Sequence, residues 1–168
     1  MTARRLLLGF VVVVTALLLQ TAVLARLPLP GGVPDLLLVV VVGFALAEGP
    51  LSGTLTGFFA GLLADLGADH ELGRTALVYA LVGYLVGLAS DDRPRSVLLP
   101  FAVVALSAAG AVTTYALEGL MLADPRIDWS SYWRALAGTT AYSLLLTPFV
   151  VPVVGALVRR LEADPIRR

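Results

Sequence analysis

Long apolar runs without charge are the feature that most constrains this chain. Residues 6–25 carry no charged side chain between Arg5 and Arg26, and similar runs recur along the sequence. A helix needs about 20 mostly apolar residues to cross the hydrocarbon core of a bilayer. Charged residues make up only 14% of the 168 residues, against roughly 25% in ordinary soluble domains. We therefore expect an integral membrane protein that keeps nearly all its mass in the bilayer.

The apolar runs divide into six predicted membrane-spanning helices within a single domain, 1–168. Glu48-Gly49-Pro50 is typical of a tight turn and separates the second helix from the third. Both of these helices are short, so a re-entrant pair is the alternative to two full spans. Thinning of the bilayer or burial among neighbouring helices accommodates short spans. The predicted spans are 6–25, 34–47, 51–66, 72–89, 97–123 and 133–158.

The arginines that flank the spans predict the orientation of the chain. Eight arginines fall on the side that carries both termini and four on the opposite side. Because cytoplasmic loops carry the excess of positive charge, we expect both termini in the cytoplasm. A cleaved signal peptide is the alternative interpretation of the first span. Its apolar run, however, exceeds the roughly 7–15 residues of a signal-peptide core.

Composition argues against several classes of function. The chain has no cysteine, which excludes disulfides, thiolate metal sites and cysteine nucleophiles, and its zero net charge offers no basic surface for nucleic acid. The only histidine lies in Asp69-His70-Glu71, and consecutive loop residues rarely converge on one ion. The serines lack a histidine or lysine base at membrane depth. We expect no enzyme, no cofactor and no metal site.

A stripe of small residues marks the third predicted helix. Gly53, Gly57, Gly61 and Asp65 recur every four residues and so share one face. Gly83 and Gly87 repeat the spacing on the fourth helix, with Tyr79 and Tyr84 nearby. Small residues allow the close backbone approach that draws helices together in lipid. The stripe predicts either packing inside the monomer or a groove for a partner's helix.

Three acidic residues lie near membrane depth, where a carboxylate is costly and usually faces the protein interior. Asp35 follows Pro34 at a helix start, where the helix dipole favours an anion, so capping explains it. Asp65 lies near the end of its helix, where capping cannot explain it; Arg74 or a polar group of an adjoining helix is the expected partner. Glu118 either has such a partner or reaches the outer interface.

Aromatic residues precede the last predicted span. Trp129, Tyr132 and Trp133 share one helical face. Amphipathic rings of this kind are enriched at the boundary between membrane and water. We interpret the three residues as an interfacial anchor.

One stretch of the chain resembles a known family. The pattern consists of Pro34-Asp35 opening an apolar run, then Gly53-x3-Gly57-Phe58-x2-Gly61-Leu62-x2-Asp65, then Gly73 and Gly83-Tyr84-x2-Gly87. It resembles the MreD family, the small membrane subunit of the bacterial rod-shape machinery, the elongasome. The resemblance covers 33–88 with motif quality and the rest by size and hydropathy. It implies a six-helix fold like the S components of energy-coupling-factor transporters, with these motif residues defining the fold rather than an active site.

The resemblance also implies a role and a set of partners. Such a protein is a non-enzymatic scaffold in the bacterial plasma membrane that binds the bitopic protein MreC. Through MreC it is connected to MreB, to the glycan polymerase RodA and to a class B penicillin-binding protein. Lateral docking of the MreC helix on a small-residue face is the expected mechanism. The alternative is a ligand-binding, S-component-like subunit of a small-molecule transporter.

Overall fold

The structure, a computed structural model of the chain, describes residues 3–67, 72–91, 98–121 and 128–162. Within these ranges the chain is all-helical, with six α-helices, a short 3-10 helix at Leu24–Arg26 and no strand. The α-helices are α1 Ala3–Ala22, α2 Leu36–Glu48, α3 Pro50–Asp65, α4 Arg74–Asp91, α5 Leu99–Met121 and α6 Trp129–Glu162. The predicted all-α architecture is confirmed for this part of the chain.

The helices follow the predicted spans in order. The largest difference in the start of a helix is at α6, which begins at Trp129 rather than at residue 133. Its 34 residues include Pro148 and Pro152 inside the helix. Asp128 supplies the start signal, because its carboxylate accepts a hydrogen bond from the backbone N–H of Ser131.

The α2 helix is the centre of the bundle. Ten consecutive residues, 36–45, are buried, and α2 contacts each of the other five described helices. A helix that is apolar on every face requires such surroundings. Its 13 residues make it about 20 Å long, which is less than the roughly 30 Å of a hydrocarbon core. Its two ends therefore depend on protein groups for their hydrogen bonds.

The chain reverses between α2 and α3 at the predicted turn. Gly49 ends α2 and begins α3, with φ of 84° and ψ of −170°, and Pro50 follows at the first turn of α3. A positive φ favours glycine, and proline suits the first turn because its missing N–H has no partner there. The turn is thus built by Gly49-Pro50, as the sequence predicts.

The glycine face of α3 packs against α4 inside the chain. An added Cβ at Gly57 would clash with the backbone of Tyr79, and one at Gly61 would clash with the backbone of Ala76. Gly53 and Gly83 face each other, because a Cβ on either would clash with the other's carbonyl oxygen. Of all the helix pairs described, α3 and α4 have the most extensive contact. Of the two alternatives for the stripe, these contacts favour packing inside the monomer, since α4 lies against the glycine face.

Three of the described helical segments are long and apolar enough to cross a membrane. They are Arg4–Arg26, Leu99–Met121 and Trp129–Arg160, whereas Leu36–Glu48 and Arg74–Ser90 are shorter apolar helices. Large side chains point outward along these helices, including Phe10, Leu106 and Phe149, which are all more than half exposed. An apolar exterior around an apolar core is what a lipid surrounding requires.

We predict that Gly57→Ala lowers the stability of the fold. The added methyl group forces α3 and α4 apart, and overpacking of this kind costs about 1–3 kcal/mol. The measurement is unfolding of the purified protein in mixed micelles with increasing denaturing detergent. Gly110→Ala is the matched control, because nothing lies within 4 Å of its added methyl group, and it should stabilise its helix by up to about 1 kcal/mol. Equal stability of the two variants would contradict the close contact between α3 and α4.

Candidate functional site

Asp35 lies in a polar network at the N-terminal end of α2. Its Oδ1 accepts a hydrogen bond of 3.1 Å from the backbone N–H of Leu38, so Asp35 caps α2. The hydroxyl of Tyr79, from α4, lies 2.7 Å from Oδ1 and 2.6 Å from Oδ2 and donates to the carboxylate. A partly buried carboxylate held by a helix N-terminus and a phenol is stabilised without a basic side chain among these donors.

Two further helices join this network. The backbone N–H of Asp35 donates to Oγ of Ser143, on α6, at 3.0 Å. The backbone N–H of Leu37 donates to Oε1 of Gln20, on α1, at 2.8 Å. The first amides of α2, which have no partner within the helix, are thus bound by side chains. The Asp35 network therefore connects α1, α2, α4 and α6.

Asp65 caps the helix that follows its own. It is 2% exposed, and its Oδ2 accepts hydrogen bonds from the backbone N–H groups of Gly73 at 2.8 Å and Ala76 at 3.3 Å. Oδ1 accepts from the N–H of Thr75 at 3.1 Å. These amides belong to the start of α4, the positive end of its dipole. The partner of Asp65 is therefore the backbone at the start of α4. The position of Asp65 within α3 does not by itself predict this partner.

Arg74 ties the start of α4 to α5. Its Nη2 donates to the carbonyl oxygen of Tyr115 at 2.9 Å. Its guanidinium lies 5.1 Å from the centroid of the Tyr115 ring, within the range of a cation–π contact. The same arginine thus combines a hydrogen bond and a ring contact with one residue of α5.

A small cavity borders the Asp35 network. Its volume is about 180 Å³, and its polar walls come from Gln20, Asp35, Tyr115 and Thr139. Pockets for drug-sized ligands have volumes of about 300–1,000 Å³. The cavity has room and hydrogen-bonding groups for water, and it is too small for a ligand of that size.

The loop between α1 and α2 packs closely against α6, and glycines on both sides make this close contact possible. Gly31 has φ of 87°, and a Cβ there would lie 2.9 Å from the carbonyl oxygen of Arg134. A Cβ on Gly138 would lie 2.7 Å from the carbonyl carbon of Gly31. Tyr142 adds a hydrogen bond of 3.0 Å from its hydroxyl to the carbonyl oxygen of Pro30. This close contact positions Asp35 beside Ser143.

Several residues singled out in the sequence lie outside the part of the chain that the structure describes. Asp69, His70 and Glu71 lie in 68–71, and the side chain of Glu118 is likewise outside the described residues. Among the residues that the structure does describe, no cluster of three or more histidines and carboxylates is placed to hold a metal ion.

The three aromatic residues at the start of α6 form one exposed cluster. Ring centroids are 5.7 Å apart for Trp129 and Tyr132, and 5.4 Å apart for Trp129 and Trp133. Hydrogen bonds from Ser131 and then Ser130 lower the pKa of the neighbouring Asp128 carboxyl below its ordinary value. A charged cap and large amphipathic rings at one helix end suit the boundary between membrane and water.

Two lateral grooves open between helices that make little contact. The α1–α3 groove has a volume of about 390 Å³ and runs between one face of α1 and one face of α3, with Phe44 of α2 also lining it. The α4–α5 groove has a volume of about 440 Å³. Gly9 lines the first and Gly110 the second, and nothing lies within 4 Å of a Cβ added at either. Both grooves are therefore open where their glycines lie.

The sequence predicted the cap at Asp35 and a partner for Asp65 in an adjoining helix, but it did not identify Tyr79 or the backbone of α4 as the donors. Thr75, Tyr79, Gly83 and Gly87 recur every four residues on α4, which matches the stripe that ends in Asp65 on α3. This second stripe is the sequence feature from which the packing of α4 on α3 could have been predicted. For Gln20 and Ser143 no sequence signal existed, because their roles depend on contacts across 17 and 108 residues.

Comparison with known proteins gives one match. A family model described as rod shape-determining protein MreD matches residues 2–159. No curated protein and no solved structure matches the chain. The match extends the resemblance over 33–88 to almost the whole sequence, while the likeness to S components stays a prediction.

We predict that Tyr79→Phe destabilises the protein. The variant removes the hydroxyl that donates to Asp35, and a buried acceptor that loses its donor costs about 1–3 kcal/mol. Tyr84→Phe on the same helix is the matched control, because Tyr84 is 46% exposed and its change should stay within about 0.5 kcal/mol. Both are compared by unfolding in mixed micelles. A Tyr79→Phe protein as stable as the control would show that the Asp35 network does not hold the helices.

We predict a graded loss of stability at Asp65. Asp65→Ala removes every acceptor for the α4 amides and should cost about 1–3 kcal/mol. Asp65→Asn keeps one carbonyl oxygen and should cost less. Amide hydrogen exchange at Gly73, Thr75 and Ala76 reports the cap directly and should rise most in the alanine variant. Unchanged exchange at these amides would refute the capping role.

Proposed function

The chain belongs to the MreD family of rod shape-determining proteins, and we propose that it acts as a non-enzymatic membrane scaffold for an MreC-type bitopic protein. The observation that carries this proposal is the family match over residues 2–159. By binding that partner, the scaffold helps to regulate peptidoglycan synthesis and cell shape. The connection to MreB, RodA and a class B penicillin-binding protein runs through the partner.

The use of the buried polar groups supports a scaffold. The carboxylates of Asp35 and Asp65 each accept hydrogen bonds at a helix N-terminus. Both carboxylates therefore already take part in hydrogen bonds that hold helices together. Such groups are poorly placed to act as a catalytic base, which must lie within reach of a reacting proton. The apolar lateral grooves of the bundle are better suited to binding another molecule within the membrane.

The α4–α5 groove is the proposed docking surface for the partner's transmembrane helix. Its α5 wall carries the small residues Ser107, Gly110, Ala111 and Thr114; Gly110 and Thr114 are accessible, and Ser107 and Ala111 are buried beneath them. Small residues let another helix approach closely, which is the main attraction between helices in lipid. The groove replaces the glycine face of α3, which α4 covers.

The proposed location is the bacterial plasma membrane, with six spans and both termini in the cytoplasm. The excess of arginine on the side of the termini, eight against four, supports this orientation. The burial of α2 on all faces supports its placement inside the membrane despite its length.

A ligand-binding, S-component-like subunit is the second candidate. The polar cavity beside Asp35 is the observation in its favour, and its volume of about 180 Å³ is the argument against a vitamin-sized ligand. Native mass spectrometry of the purified chain separates the two candidates. A tightly held small organic molecule would favour the subunit of a transporter.

We predict that Gly110→Phe weakens binding of the MreC-type partner. The phenyl ring enters the α4–α5 groove, where nothing lies within 4 Å of the added Cβ. Recovery of the co-expressed partner with the tagged chain should fall about tenfold or more, equivalent to at least about 1.4 kcal/mol. The same variant should fail to restore rod shape in a host depleted of its own homologue.

Gly9→Phe is the matched control for this experiment, since it adds the same ring to an open glycine in the other groove. It should leave recovery of the partner unchanged. Full recovery of the partner and normal rods with Gly110→Phe would exclude the α4–α5 groove. Loss of the partner with both variants, while both fold normally, would also count against a localised surface.

A further inference from the structure

The α1–α3 groove has one polar end and one apolar end. Arg5, Glu48 and Ser52 lie at the first end, and Leu66 lies at the other. Between them the walls are almost wholly apolar and include the large side chains of Phe10 and Phe59. A groove with this polarity matches an amphipathic ligand with a charged head and a long apolar chain.

The groove is long enough to accommodate an acyl chain over the depth of one leaflet of a bilayer. Along α3 it extends from Ser52 to Leu66, a helical rise of about 21 Å. Half of a hydrocarbon core is about 15 Å. One acyl chain that enters the membrane at the Arg5 end can therefore lie along the groove for the full depth of its leaflet.

The polar end is fixed by interactions between three helices. Nε of Arg5 lies 4.0 Å from Oε1 of Glu48, and the hydroxyl of Ser52 donates to Oε2 of Glu48. Glu48 is thus bound on both oxygens, and it holds the Arg5 guanidinium at the groove entrance. Arg4 precedes Arg5 in the chain and is exposed, although it does not line the groove. The two consecutive arginines outnumber the single carboxylate of Glu48 at this end, which favours a phosphate.

The shape of the walls distinguishes this groove from the α4–α5 groove. Large side chains, among them Phe10 and Phe59, come from both helices that border this groove, whereas the other groove combines leucines and valines of α4 with small residues of α5. Close approach of a second helix backbone needs small residues. A flexible hydrocarbon chain needs only a channel between large side chains.

From this geometry we propose that the α1–α3 groove is a specific binding site for one anionic phospholipid. One acyl chain lies between α1 and α3, and the phosphate lies beside Arg4 and Arg5. This site is separate from the α4–α5 groove and does not depend on the proposed partner. Its consequence is that the protein retains one anionic lipid when the surrounding bilayer is removed.

The first test uses native mass spectrometry of the full chain, purified in mild detergent with added phosphatidylglycerol. The wild-type protein should retain one lipid, and Gly9→Phe should lose most of it, because the ring fills the open groove. Gly110→Phe is the matched control and should retain the lipid. Melting curves of both variants establish that they remain folded. Retention of the lipid by folded Gly9→Phe would overturn the proposal.

The second test addresses the head group. Phosphatidylglycerol should displace phosphatidylcholine from the wild-type chain, and Arg4→Gln with Arg5→Gln should remove this preference. Each arginine near a membrane surface contributes about fivefold in affinity for anionic lipid. Equal binding of the two lipids by the wild-type chain would overturn the proposed site. Loss of the MreC-type partner, rather than of lipid, in Gly9→Phe would also overturn it and would identify a helix as the occupant.

Discussion

The backbone contact between α3 and α4 is the interaction on which the rest of the structure depends. Hydrocarbon gives no hydrophobic drive for one helix to pack on another, so close approach through glycines supplies the attraction. Gly57 lies against the backbone of Tyr79, which points the phenol of that residue toward Asp35. Gly61 lies against Ala76 and Thr75, which brings the start of α4 to Asp65. Without this contact, neither carboxylate would have its donors.

The carboxylates of Asp35 and Asp65 are stabilised in the same way. A charge near membrane depth is costly, and a helix N-terminus offers several N–H groups and a positive partial charge. Asp35 uses its own helix, whereas Asp65 reaches the next helix along the chain. The second arrangement also joins α3 to α4 at the end opposite Gly49, so that the two helices are fixed at both ends. The acids therefore contribute to the fold more directly than to any reaction.

The sequence predicted the local features well and the pairing of elements poorly. Six apolar runs, the Gly49-Pro50 turn and the cap at Asp35 follow from neighbouring residues, and the structure contains all of them. The four-residue spacing identified the face of α3 that packs against another helix. Spacing along one helix, however, does not show which helix packs there. Matching the Gly83 and Gly87 stripe to the Gly53 stripe would have suggested α4. The contacts of Gln20 and Ser143 connect distant parts of the chain, and no local pattern encodes them.

The carboxylates of Asp35 and Asp65 are occupied by hydrogen bonds inside the bundle. The two open grooves are the surfaces at which we propose that other molecules bind. Since α4 covers the glycine face of α3, the proposed recognition of a partner uses another lateral surface. We propose a partner's helix for the α4–α5 groove, which has small residues on its α5 wall, and a lipid for the α1–α3 groove, which has large apolar side chains and Arg5 at one end. The α3–α4 pair stands between these surfaces, because α3 borders one groove and α4 borders the other. The two proposed occupants contact different walls, so the proposals allow a partner and a lipid to be bound at the same time.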